Sequence, residues 1–278
     1  MDQLPLFTAT RYVQPLREGG SLPAVVEAEG GELLVVKFRG AGQGAKALVA
    51  ELIAGLLARA LGLPTPELAI VEVPPLFGRS EPDPEIQDLL RGSHGINVGA
   101  RYLDGAFNFD PAAAGEFISA ELAARIVWFD AFLTNPDRTH RNPNILIWER
   151  RPWLIDHGAA IYAHHDWRSV NEARTRSAFP LIQQHVLLER AADIEAADAS
   201  MAGLLSGSVI DDVLASVPDA LLTASSGSAD SPSAAGARER YRSYLLTRLE
   251  APREFVGAAI AAREKLLRHP PRPYSARR

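Results

Sequence analysis

Cysteine is absent from the 278 residues, which excludes disulfides, thiolate zinc sites and cysteine nucleophiles while leaving the compartment undecided. The core must therefore hold by packing. Long apolar runs are missing too: no stretch approaches the ~18 apolar residues of a membrane span, and the N-terminus lacks the basic and apolar regions of a signal peptide. A cytosolic protein is expected. Nor is there an excess of positive charge. A net charge of −5 gives no broad basic surface, so neither nucleic acid nor anionic lipid is an expected partner. Only the tail is locally basic (Arg268, Arg272, Arg277, Arg278), and it reads as disordered. No internal repeat is visible. What is present is 47% hydrophobic residues, enough for a substantial core in one large domain or two lobes.

The most informative stretch runs from Asn135 to Gly158 (NPDRTHRNPNILIWERRPWLIDHG). Asp137 and Asn142 stand in a polar loop. An apolar strand follows at 145–148, and Asp156 closes a second short strand at 153–155. Asp, Asn and Pro are ordinary turn residues, so a solvated loop is the plain alternative. Three polar residues in this order, ending in Ile-Asp-x-Gly, point instead to phosphoryl transfer: one Asp to orient or deprotonate an acceptor hydroxyl, an Asn to coordinate a metal, and a second Asp to hold the Mg²⁺ that bridges ATP phosphates. The helix predicted over 119–135, with Leu122, Ile126, Phe129 and Leu133 on one stripe, anchors the loop.

Upstream, short β-branched runs at 9–16, 24–29 and 32–38 alternate with Gly-bearing turns and predict an antiparallel meander. Gly19, Gly20 and Ser21 in the first turn could bring backbone N–H groups to a phosphate or form an ordinary hairpin turn. Alternation puts Val35 and Lys37 on one strand face, from which Lys37 can reach phosphates. After Gly40-Ala41-Gly42-Gln43-Gly44 a helix carries Val49, Ile53, Leu56 and Ala60, stopped by Gly62 and Pro64. Glu51 on this helix could pair with Lys37 or face water. A fourth strand is expected at 67–73. Residues 74–93, with four prolines and several acids, read as a loop or partly disordered insertion. The strand at 94–103 leads to Arg101, Tyr102 and Leu103, expected to contact adenine at a hinge. Past Gly158, His164, His165 and Asp166 could bind metal, but adjacent histidines are expected to point apart, which favours a loop. Residues 181–222 and 238–267 are helical by period, joined by a Ser/Ala/Gly-rich connection at 223–236.

The central loop resembles those of the HipA-like kinases, Asp-x-His-x-Lys-Asn, and more distantly those of phosphoinositide kinases, Asp-Arg-His-x-x-Asn followed by Ile-Asp-Phe-Gly. Asp137, Arg138 and Asn142 match; His140 sits one place late, and His157 replaces the Phe. The resemblance implies an α+β, bilobal protein-kinase-like fold, with an antiparallel-sheet N-lobe over residues 1–104 and a helical C-lobe over 105–278. It further implies ATP and Mg²⁺ as cofactors and transfer of the γ-phosphoryl group to a hydroxyl, most plausibly a protein Ser or Thr. Asp137 would be the base, Asn142 and Asp156 the Mg²⁺ ligands, and Lys37 the phosphate contact. Arg141, in the place of the family's Lys, would steady the transferred phosphate. The extra N-terminal subdomain of full-length HipA toxins has no room here, so a toxin–antitoxin role is not expected. A lipid or small-metabolite kinase and a nucleotide-binding pseudokinase acting as an interaction module are the alternatives.

Overall fold

The computed structural model describes residues 3–16, 22–79, 81–224 and 232–269. It is a mixed α+β protein, about 48% helix and 18% strand. β1 (Leu6–Pro15), β2 (Ala24–Ala28) and β3 (Leu33–Lys37) form the expected antiparallel meander. The sheet then does something the local pattern does not announce. β4 (Leu68–Val73) pairs antiparallel with β5 (Gly95–Arg101) and parallel with the start of β1, so the five strands close into a barrel of order β1-β2-β3-β5-β4. Closure leaves this sheet no open edge. Ala9, Val26, Leu34, Val36, Val71 and Val73 fill the interior, one face of each alternating strand.

The segment read as a proline-rich insertion contains an ordered helix, α2 (Pro84–Arg91), which corrects that expectation. Asp83 caps it by accepting from the Glu85 N–H at 2.9 Å, and Pro84 occupies the first turn, where its missing N–H costs nothing. Leu90 and Phe77 are buried against the barrel interior.

α1 (Gly44–Ala60) packs on the outer face of the barrel and is buried nearly all round. Gly55 allows the close approach: a Cβ there would lie 2.6 Å from Leu68 Cδ1 on β4. α3 (Ala114–Phe117) is a single turn. α4 (Ala120–Phe132) is capped by Ser119, whose Oγ accepts from Leu122 N–H at 3.1 Å. Instead of one apolar stripe it buries Ile126, Val127, Trp128 and Phe129 alike at 0% exposure, and it is the centre of the larger core. β6 (Phe107–Asn108), β7 (Ile145–Trp148) and β8 (Arg151–Leu154) form a second, three-stranded sheet. β8 thus starts and ends before the expected 153–155, and Asp156 lies two residues beyond it. The β7–β8 turn places Glu149 and Arg150 at φ 49° and 60°, the left-handed pair that suits strand twist.

The remaining helices are α5 (Glu172–Arg176), α6 (Ile194–Leu204), α7 (Gly207–Ala215), α8 (Asp219–Thr223), α9 (Ala234–Leu249) and α10 (Glu254–Arg268). The long helical stretches expected from periodicity are shorter and interrupted. Residues 185–193 carry turns, Ser206 starts a new helix by capping Val209 N–H, and Pro218 and Pro252 fall in breaks. Of the connection expected at 223–236, residues 225–231 lie outside the described residues, while Thr223 ends α8 and 234–236 begin α9; the basic tail lies outside them from 270 on, whereas Arg268 closes α10 beside Glu264.

Candidate functional site

Between the barrel and the second sheet lies a cleft of about 480 Å³. β3 contributes Val35 and Lys37, as alternation requires. β5 and its continuation contribute Gly99, Arg101, Tyr102 and Leu103, and the β7–β8 hairpin with its flanks contributes Asn142, Asn144, Leu154 and Asp156. With Glu51 of α1, residues from four separate chain segments, each singled out in the sequence, converge here.

Lys37 is the hub. Its Nζ donates to Glu51 Oε2 and to Asp156 Oδ1, both at 2.6 Å, so Glu51 faces the lysine and not water. Burial alone would lower the ammonium pKa, but the two carboxylates outweigh it and the pKa is raised. The two acids differ. Burial, with the nearby Asp156 charge, pushes Glu51 up despite Lys37. For Asp156, 31% exposed, burial alone would raise the pKa, but the Lys37 charge and hydrogen bond, joined by the Gly158 N–H and its other neighbours, together bring it below its ordinary value. Asp156 therefore stays ionised at neutral pH and faces the cleft, in the left-handed conformation (φ 53°).

Asp137 lies in the loop after α4, bonded to two asparagines that line the cleft. Its Oδ2 accepts from Asn142 Nδ2 at 2.9 Å and from Asn144 Nδ2 at 3.1 Å. Asn142, which reaches Asp137 through nitrogen, retains its amide oxygen. A hard cation such as Mg²⁺ takes oxygen ligands, commonly one or two from protein with the rest from water and phosphates. The Asn142 oxygen and the ionised Asp156 carboxylate on one cleft are a donor set of that kind, so the residues fit the ion. Among the described residues no group of three or more His, Asp or Glu forms a ready-made metal cage.

Beneath the loop lies a second charged cluster, which the sequence reading did not identify. Asp130, on α4, accepts from Arg138 Nε at 2.6 Å, Asn135 Nδ2 at 2.9 Å and His185 Nε2 at 2.9 Å. Arg138 also donates to the carbonyls of Asn144 and Ile155. Arg138, matched to the Asp-Arg motif, is thus a buried strut tying the loop to both ends of the hairpin. An Asp inside the apolar run Ile126–Phe132 of α4 was the available signal.

Other expected residues fall as follows. Gly19, Gly20 and Ser21 lie outside the described residues; their flanks, Leu16 and Pro23, line the cleft and are joined by a 2.7 Å backbone bond. The amides of Arg101 and Tyr102 donate to Glu67 and Leu33 carbonyls, at 2.8 and 3.0 Å. Arg141 and His140 are exposed. His157 is buried, and burial, with Arg138, lowers its pKa to about 3. The adjacent histidines do not point apart: His164 and His165 approach to 3.2 Å between Nε2 atoms, with Tyr241 OH on the other nitrogen of His164. They lie in a 3-10 helix, Tyr162–Ser169.

A family model described as HipA-like kinase matches residues 10–231. No curated protein matches the chain. Among solved structures, the Helicobacter pylori proinflammatory kinase CtkA is similar in fold, with a TM-score of 0.52 over 94% of this chain and 99% of that one, at 11% sequence identity. At that identity the likeness speaks for the fold. With the family model covering most of the sequence, the chain belongs to the HipA-like kinase family, and its activity class is that of a kinase-type phosphotransferase.

Proposed function

We propose that the protein is an ATP-dependent kinase of two lobes, residues 1–104 and 105–278, that transfers the γ-phosphoryl group to a protein Ser or Thr hydroxyl. One observation carries this reading: a lysine held at 2.6 Å by both a helix glutamate and the Asp of Ile-Asp-x-Gly, in a cleft that Asn142 also lines. Such an arrangement suits a polyphosphate that brings its own cation.

In this reading the adenine lies against Arg101, Tyr102 and Leu103, and Gly19, Gly20 and Ser21 would offer backbone N–H groups to the phosphates. Lys37 keeps Glu51 and turns its remaining hydrogens to phosphate oxygens, as charge-assisted bonds. Asn142 and Asp156 would hold Mg²⁺, which supplies charge neutralisation of the phosphates. The acceptor oxygen bonds to the γ-phosphorus as the bond to the β-phosphate oxygen breaks. Asp137 aims the acceptor hydroxyl and takes its proton, while the exposed Arg141 is available to the transferred group.

The test is incubation with labelled ATP and Mg²⁺ in the presence of cell-lysate proteins and, separately, lipid vesicles. Label on Ser or Thr is expected, and it should vanish in Asp156→Ala. Label on lipid alone would move the acceptor class, and tight Mg·ATP binding without transfer to any acceptor would make the protein a pseudokinase.

A further inference from the structure

Asn144 has no part in the motif that brought Asp137, Asn142 and Asp156 to attention, yet it is built into the same place. The residue is 8% exposed and lines the cleft. Its Nδ2 donates to Asp137 Oδ2 at 3.1 Å, the same oxygen that Asn142 reaches at 2.9 Å. Its backbone is in the left-handed region, φ 50°, which Asn tolerates better than most residues because its short polar side chain can bond locally. Its carbonyl accepts both from the Arg138 guanidinium and from Ile155 N–H, the latter at 3.0 Å. Main chain and side chain are therefore both fixed, and the fixed amide points at one oxygen of one carboxylate.

We infer that Asn144 is a positioning residue for Asp137: with Asn142 it immobilises Oδ2 and so dedicates Oδ1 to the acceptor hydroxyl. The inference rests on the kinase reading of the site. A carboxylate that can rotate presents either oxygen over a range of angles, and a hydroxyl aimed by it is spread over the same range. Two amides on one oxygen stop that rotation. In the proposed site Asn142 also serves the cation, so its amide is shared between two tasks, while Asn144 is assigned to Asp137. Orientation of this kind acts on turnover and leaves nucleotide affinity alone, since it concerns the acceptor side of the reaction.

Asn144→Gly is the variant of choice, because glycine accepts the left-handed backbone without strain and the carbonyl contacts survive. Asn144→Asp is its companion: it keeps the shape and sets a second carboxylate against Asp137. Two measurements decide. In the first, the side-chain ¹⁵N–¹H signals of Asn144 are compared between wild type and Asp137→Asn; a marked shift is expected, and unchanged signals would overturn the contact. In the second, transfer from labelled ATP to lysate proteins is followed together with calorimetric Mg·ATP affinity. Asn144→Gly is expected to lower kcat about tenfold, the scale of one hydrogen bond to a charged group, with KM for ATP and Mg·ATP affinity unchanged. Asn144→Asp should lose at least as much. In the Asp137→Asn background Asn144→Gly should cost nothing further, which a merely structural role would not give. Wild-type turnover in Asn144→Gly overturns the inference and leaves the kinase reading standing. Absence of transfer in the wild type itself overturns both.

Discussion

The protein buries two charged clusters within one hairpin of each other, and it buries them differently. In the cluster under the loop, Arg138 and Asp130 are both 0% exposed, and each Asp130 oxygen has a partner. His185 completes it as a neutral ring, since its Nδ1 accepts from Leu187 N–H and its Nε2 therefore donates to Asp130. Burial alone would raise the Asp130 pKa, but Arg138 and His185 hold it well below the carboxylate range. The cluster at the cleft has two carboxylates for one ammonium, and Asp156 remains 31% exposed. A sealed and balanced cluster has nothing to gain from a ligand. The open one has an excess negative charge and a lysine that can change partners. The first is built to hold the loop still and the second to exchange contacts.

The sharpest way to break this comparison is to open the sealed cluster. Asp130→Ala leaves the Arg138 guanidinium buried without its counter-ion, which typically costs about 3–5 kcal/mol. That loss should be read in urea or guanidinium unfolding, and Asp130→Ala/Arg138→Met should cost less than the two single changes added together. A loss under about 1 kcal/mol for Asp130→Ala would mean the cluster is not the strut described here.

The open side should respond in function and hardly in stability. Asp137→Asn keeps the loop's shape while removing the charge, so transfer is expected to fall about 10²–10⁴-fold with near-normal Mg·ATP affinity. Asp156→Ala leaves the Lys37–Glu51 pair in place and should change stability by about 1 kcal/mol or less, yet weaken Mg·ATP binding in calorimetry and abolish transfer. If Asp137→Asn lost nucleotide instead, the roles of the two aspartates would be exchanged.

A smaller effect tests whether Lys37 and Glu51 act as one unit. Lys37→Met and Glu51→Gln should each impair transfer, and their coupling in a double-mutant cycle should be about 0.5–3 kcal/mol, as for other residues in direct contact. Strict additivity would separate Glu51 from the phosphate-binding function.

The contrast also divides what the sequence made legible from what it did not. Lys37, Glu51, Asn142 and Asp156 were readable because each stands at a fixed place relative to a strand, a helix or a loop, and local periodicity supplies those places. The Asp130–His185 contact spans 55 residues, and the β1–β4 pairing closes the barrel across the whole first sheet. No local pattern encodes either. α2 was missed for a different reason: prolines and acids were counted as loop composition, although an Asp followed by a Pro is also how a helix begins. Asn144 carried no signal at all, because a second asparagine in a polar loop looks like turn chemistry until its amide is seen on Asp137.

The smallest expected effect concerns the residue that touches both clusters. His157 stands between them: its backbone N–H supports the Glu51 carboxylate, and its Nδ1 lies 3.4 Å from the Arg138 guanidinium. Nδ1 must accept there, which leaves the proton on Nε2, a buried nitrogen with no partner among the described residues. The ring is kept neutral, with its pKa lowered by burial to about 3. An unfolded chain would take up a proton at this histidine near its ordinary value of 6.5, so below pH 6.5 protons favour unfolding at about 1.4 kcal/mol per pH unit. That loss continues until the folded ring also titrates near pH 3. His157→Phe removes the titrating group and restores the residue that phosphoinositide kinases carry in Ile-Asp-Phe-Gly. The larger ring costs some packing and the lost orphan N–H returns some stability, so at pH 7 the change should be within about 1 kcal/mol. Transfer should change little, because the backbone bond to Glu51 persists. The decisive quantity is therefore the slope of unfolding free energy between pH 5 and 6, where Asp130, with its depressed pKa, still contributes in full. That slope should fall by one proton's worth in His157→Phe while His164 and His185 keep theirs. An unchanged slope would mean that His157 is protonated in the folded protein. The sealed cluster beside it would then carry a positive charge more than it does here, and the contrast between the two clusters would narrow.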